Sequence, residues 1–290
     1  MAINYEKLMA YDSGELPVLY GARDCIIYAL GIGIGMDPMD RNQLKFVHER
    51  WIEAFPAMAG VLGWVGRTFS TNPEFGVDER RVVAAAQRIT LHRPLEAEGN
   101  LLARTRVKEV IDKGEGGGAI IVAERSLTKT SGEPVATIQN TTFARGQGGF
   151  GGKVTQSPPV HKLPEGEAPL RCDLPTPPNL ALIYRLNGDE NPLHVDPERA
   201  QVAGFPRPIL HGLATYGIAA HAIVRTVAAY RTERFRSMEA RFVKPVFPGD
   251  VIRTEMWVNK GTSGQEVSFR CRVPERDEIV LGNGLALISS

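Results

Sequence analysis

Asp189 and His194 stand five residues apart in the segment Gly188-Asp189-Glu190-Asn191-Pro192-Leu193-His194. A carboxylate and an imidazole held on one short loop suit a reaction that moves protons at two places, such as adding water across a polarised double bond. That reaction needs a base for the water, an acid for the carbon, and a donor for the oxygen on which charge develops. The loop offers the first two. The third is available where an apolar helix begins near His211, because the first N–H groups of a helix lack partners and carry the positive end of its dipole. Gly212 is the natural donor: without a Cβ it lets a carbonyl oxygen approach its N–H closely.

Each residue alone has a plainer reading. An aspartate after glycine is usually a turn former, and a histidine after leucine is usually just partly buried. Together, with Asn191-Pro192 between them and the glycine-started helix 18 residues after the histidine, a purely structural origin is the weaker account. Proline keeps Asn191 out of helical conformation, and Leu193 is expected to anchor the loop in the core while His194 points elsewhere. Asp196 is a poorer base, since Asp196-Pro197-Glu198 reads as an N-cap, a proline at the first helical position and an acidic first turn, with Gly204 stopping the helix.

These residues need a scaffold, and the chain supplies two similar ones. Gly146 to Gly152 holds five glycines, and Ser157 to Pro178 holds seven of the 20 prolines. Such segments resist helix and strand, which predicts an N-terminal half over 1–152, a Pro-rich linker over 153–178 and a C-terminal half over 179–290. Gln87 to Leu95, Leu101 to Ile111, Ala119 to Thr128 and Val135 to Ala144 read as strands of the first half. Glu239 to Val246, Val251 to Val258, Glu266 to Val273 and Ile279 to Ile288 repeat the plan in the second. Both halves place a proline, Pro94 or Pro245, in the opening strand. Before each meander comes an apolar, small-residue helix, Pro56 to Phe69 in the first half and His211 towards Tyr230 in the second. The fold class expected is α+β, a helix wrapped by an antiparallel sheet, twice over.

The bulk composition fits. The 290 residues are 43% hydrophobic and 23% charged, enough for a real core. A formal net charge of +1 gives no basic excess for nucleic acid. The three cysteines, Cys25, Cys172 and Cys271, form no CxxC pair, which points to a reducing compartment. No apolar run is long enough for a membrane span, Met1 to Leu16 is not built like a secretory signal, and Ile288-Ser289-Ser290 is not a peroxisomal tripeptide, so the cytoplasm is the expected location.

Tyr184-Arg185-Leu186-Asn187-Gly188-Asp189-Glu190-Asn191-Pro192-Leu193-His194, followed by Ile209-Leu210-His211-Gly212-Leu213, resembles the signature of the MaoC-like, R-specific 2-enoyl-CoA hydratases. Ala22 to Gly33, Leu44-Lys45-Phe46-Val47 and Phe242 to Asp250 are similar to other parts of that family, so the resemblance covers essentially the whole chain. It implies a double hotdog fold and reversible hydration of trans-2-enoyl-CoA to (3R)-3-hydroxyacyl-CoA, with no cofactor beyond the CoA of the substrate. In such enzymes the aspartate and histidine act on the water, the asparagine arranges the site and the glycine N–H holds the thioester oxygen. Those roles carry over to Asp189, His194, Asn191 and Gly212. The resemblance also implies that the degenerate N-terminal half accommodates the acyl chain, whether short, long, branched or sterol-derived. Asn187 departs slightly, standing where the family often has a smaller residue.

Asp189 is expected to activate the water and His194 to hand a proton to the α-carbon. Arg241 and Lys244 are weak candidates for contacts with the CoA phosphates, together with Arg231, Arg234 and Arg236. The run Gly31-Ile32-Gly33-Ile34-Gly35 lacks the GxGxxG form and more plausibly ends a helix. No HxxxH or HxH pair exists among the six histidines, so no metal site is expected. Dehydration of a 3-hydroxyacyl chain on acyl carrier protein and hydrolysis by a hotdog thioesterase are the rival activities, and a non-catalytic thioester binder is a third reading. The assembly expected is a monomer or a homodimer of such chains.

Overall fold

A computed structural model describes residues 2–152, 159–261 and 264–290. In it, ten strands form one antiparallel sheet: β1 (Leu16–Tyr20), β2 (Val82–Leu91), β3 (Gly99–Asp112), β4 (Gly118–Lys129), β5 (Pro134–Arg145), β6 (Leu170–Pro175), β7 (Phe235–Phe242), β8 (Val251–Gly261), β9 (Gly264–Val273) and β10 (Glu278–Ser289). Their order is β1-β3-β4-β5-β2-β7-β10-β9-β8-β6. Numbering each half from its own start gives 1-3-4-5-2 and, read from the other edge, the same sequence again. The halves join where β2 meets β7, with Ala86 opposite Arg241 and Thr90 opposite Ser237. The internal repeat is therefore real, and the fold is a double hotdog.

Strand positions follow the period-two pattern. In β4, Ala119, Ile121, Ala123, Arg125 and Leu127 are buried while Ile120, Val122, Glu124, Ser126 and Thr128 are half-buried. Pro94 and Pro245 fall after β2 and β7 rather than inside them, since a proline has no N–H to give a ladder. The two edge strands, β1 and β6, escaped the sequence reading. β6 lies within the stretch 153–178 read as linker; it pairs only with β8, and at a sheet edge its terminal Pro175 is tolerated. Residues 153–158 of that stretch, and residues 262 and 263 between β8 and β9, lie outside the described residues.

The second half keeps its central helix, Gly212–Thr226, which is buried almost throughout from Ala214 to Val224. It ends short of the expected Tyr230, because Ala229 and Tyr230 adopt left-handed backbone angles. The first half does not keep its helix. Pro56–Gly60 forms one 3₁₀ turn, and Thr68–Thr71 a single short helical turn. Between them Gly63 and Gly66 have φ of +63° and +68°, and Gly63 lies so close to the sheet that a Cβ would stand 2.3 Å from Ala103 Cβ. The small residues that suggested a helix serve instead to lay a turn against the sheet. Arg125, fully buried beneath it, donates from Nη2 to the Gly60 carbonyl at 2.6 Å. As expected, Gly33 and Gly35, both at positive φ, follow the end of the helix Ala22–Gly31. Among the described residues no helix is long and apolar enough to cross a membrane.

Candidate active site

The motif loop is built by local hydrogen bonds. The short helix Leu180–Tyr184 tightens into a 3₁₀ turn, Arg185–Asn187, and stops at Gly188, whose φ of +107° favours glycine. Asn187 Nδ2 closes this turn on the Tyr184 carbonyl at 2.9 Å. Asp189 Oδ1 then accepts from the Asn191 N–H, and Asn191 Oδ1 accepts from the Leu193 N–H, each at 3.2 Å. Asn191 thereby caps the turn Pro192–His194 that presents the histidine. Burial is the reverse of expectation: His194 is the buried residue and Leu193 only half-buried. The loop's core anchor is the imidazole itself. Asp196 caps the helix Pro197–Val202 by accepting from the Glu198 and Arg199 N–H groups, as its sequence context indicated.

His194 Nδ1 lies 2.9 Å from the Ile209 carbonyl. A carbonyl only accepts, so the proton is on Nδ1 and neutral His194 keeps a lone pair at Nε2. Burial pushes its pKa down from 6.5, with a further push from the Arg67 guanidinium; the Asp189 charge and the Ile209 carbonyl pull the other way. The histidine thus has the form of a base.

His211 and Gly212 bring in the helix. Leu210 N–H bonds the Val246 carbonyl at 2.7 Å, which fixes the approach. His211 occupies the N-cap position and Gly212 opens the helix. A Cβ on Gly212 would stand 3.2 Å from Phe242 Cε1, so the glycine is in close contact with that ring. The His211 ring stacks on that of His194, centroids 3.8 Å apart and planes 28° from parallel, and its Nε2–H donates to the Asp189 main-chain carbonyl at 3.1 Å. Burial above all, then the neighbouring His194, pushes the His211 pKa down to about 3. No histidine spacing in the sequence singles out His211. Its place immediately before Gly212 was the available signal. Arg67 belongs to the other half, and nothing in its local sequence marks it.

Asp189, His194 and His211 offer ligand atoms within 4.8 Å of one another, a grouping that no sequence spacing announced. The two imidazoles do not suit a shared ion. Rings lying nearly face to face send their lone pairs along nearly parallel planes, whereas a zinc ion needs both nitrogens to point at one centre about 2 Å away. Arg241 and Lys244 are exposed, and among the described residues neither forms an ion pair. Arg234, by contrast, is engaged in the fold, donating to the Ser289 carbonyl at 2.7 Å and to Gln265 Oε1 at 3.1 Å.

Residues 160–278 match the model of the MaoC like domain, and residues 19–146 that of the MFE-2 hydratase 2 N-terminal domain. The chain is 37% identical to the peroxisomal enoyl-CoA hydratase 2 of Arabidopsis thaliana, over 96% of this chain and 93% of that one. It is 39% identical to the 3-hydroxyacyl-thioester dehydratase Y of Mycobacterium tuberculosis, over 90% of each. Among solved structures, the MaoC-like dehydratase of Phytophthora capsici superposes with a TM-score of 0.87 at 29% identity, covering 99% of this chain and 98% of that one.

Proposed function

Because the chain belongs to the MaoC-like, hydratase 2 family, we propose that it is a hydro-lyase that reversibly hydrates trans-2-enoyl-CoA to (3R)-3-hydroxyacyl-CoA. The observation that carries this reading is the convergence of Asp189, His194 and His211, the residue that immediately precedes Gly212 at the helix start. His194 takes a proton from water through Nε2 while the water oxygen bonds to the β-carbon. The π electrons move towards the thioester oxygen, which the Gly212 N–H steadies. The imidazolium then returns its proton to the α-carbon. Asp189 orients the water and stabilises the imidazolium, in keeping with its upward pull on the His194 pKa. This division departs from the expectation that Asp189 is the base, and the Nδ1–H bond to Ile209 is the reason.

The chemistry needs no cofactor, CoA being part of the substrate. The N-terminal half accommodates the acyl chain, a role supported by the single 3₁₀ turn that stands where the second half has a 15-residue helix. Arg241 and Lys244 face solvent and remain candidates for the CoA phosphates. The assembly we propose is a homodimer and the compartment the cytoplasm; sedimentation and imaging of a tagged chain test these. For the activity, loss of enoyl-thioester absorbance across an acyl-CoA series, with chiral analysis of the product, is the direct assay. An (S) product, turnover only on acyl carrier protein, or release of free CoA thiol would each overturn the reading.

A further inference from the structure

We propose that His211 is a positioning residue for the hydration, an inference that rests on the reading above. The residue is fully buried at a helix N-cap, yet its side chain makes no capping bond, so the helix does not account for it. One bond crosses to the main-chain carbonyl of Asp189, 22 residues earlier. One face of the ring is stacked with His194. A single side chain therefore holds the backbone that carries the carboxylate and limits rotation of the ring that carries the base. With Nδ1 of His194 tied to Ile209, the stack leaves Nε2 as the one nitrogen free to meet water.

Packing alone would favour another residue here. Nδ1 of His211 is buried without a partner, and a buried acceptor left unsatisfied is costly. A leucine or phenylalanine would fill the space without that cost. What imidazole adds is a donor and a flat face on one small frame. It must also stay neutral, because a charge stacked against His194 would oppose the proton that His194 takes up. Burial, with the ring of Tyr184 packed at 5.0 Å, keeps it so.

Three variants separate the contributions. His211→Phe keeps a flat face and loses the donor; His211→Gln keeps a donor of similar reach and loses the face; His211→Leu loses both. With crotonyl-CoA, kcat is expected to fall about tenfold in the first two and about 100-fold in the third, the scale on which small misplacements act. KM should stay within about twofold, because bound substrate is not what His211 contacts. The acid limb of kcat/KM should shift in all three. A role confined to folding would move neither that limb nor the turnover of the folded fraction. His211→Leu with kcat within about twofold of the parent overturns the inference, as does failure of all three variants to fold. If the parent chain does not hydrate enoyl-CoA, the functional reading has failed and this inference falls with it.

Discussion

Gly217 of the central helix and Ile32, just beyond the helix Ala22–Gly31, approach so closely that a Cβ on the glycine would stand 2.5 Å from Ile32 Cγ2. The Tyr28 hydroxyl would be 2.9 Å away. This contact locks an element of the first half onto the helix that opens at the candidate site. Alanine is the better helix former, yet Gly217→Ala is expected to destabilise the chain by about 1–3 kcal/mol through overpacking. A thermal melt checks this, and an unchanged or raised midpoint would show that Ile32 and Tyr28 give way to the methyl without cost.

Acid should weaken the fold. Burial holds His211 down at about 3 and His221 at about 4, against 6.5 for a free imidazole. As pH falls below about 6.5, the unfolded chain takes up protons that the folded chain refuses, so stability is intact above that value and falls until the folded values of about 4 and about 3 are reached. Melting temperature should decline steadily through this window, and less so in His221→Phe. A flat profile would contradict the buried, neutral state of these rings.

Burial first, and the charge of Arg67 from the first half after it, hold the His194 pKa down. The acid limb of kcat/KM should therefore lie below pH 6.5 in the parent and move up in Arg67→Gln. The ion pair with Glu79, 3.7 Å long and half-exposed, contributes little to stability, so the melt should barely change. A limb that stays put or moves down would remove Arg67 from the site's electrostatics.

Gly212→Ala tests the oxygen-binding N–H. The added methyl would stand 3.2 Å from Phe242 Cε1 and beside the N–H itself. Folding should survive, while kcat should drop about 100-fold, the scale of losing one such donor. Undiminished turnover would move the thioester oxygen elsewhere.

Much of the architecture was legible because β-strand alternation and glycine turns are local signals: eight of the ten strands were found from them. The two missed, β1 and β6, are short edge strands stabilised by a single neighbour and carrying prolines, so little in their own residues declares them. The first-half helix does not form because its apolar, small residues imitate a helical face while Gly63 and Gly66, at positive φ, interrupt it. At the candidate site, Asp189, His194 and Gly212 were singled out from spacing and chemistry, and Asn191 through the family resemblance; the fold brings their two short motifs together. His211 was not, since its value comes from a stack with a ring 17 residues away, and Arg67 was not, since only the folding of one half against the other brings it near. The proton transfer proposed for His194 also rests on a bond to Ile209 that spacing does not reveal.

The central claim is that Asp189 and His194 move the protons of hydration. Its most direct test is the rate of crotonyl-CoA hydration in Asp189→Asn and His194→Gln, measured on protein whose melt matches the parent. The account predicts that each variant loses about 10²–10⁴ in kcat, the usual contribution of positioned acid–base groups. Full activity in either variant would contradict it.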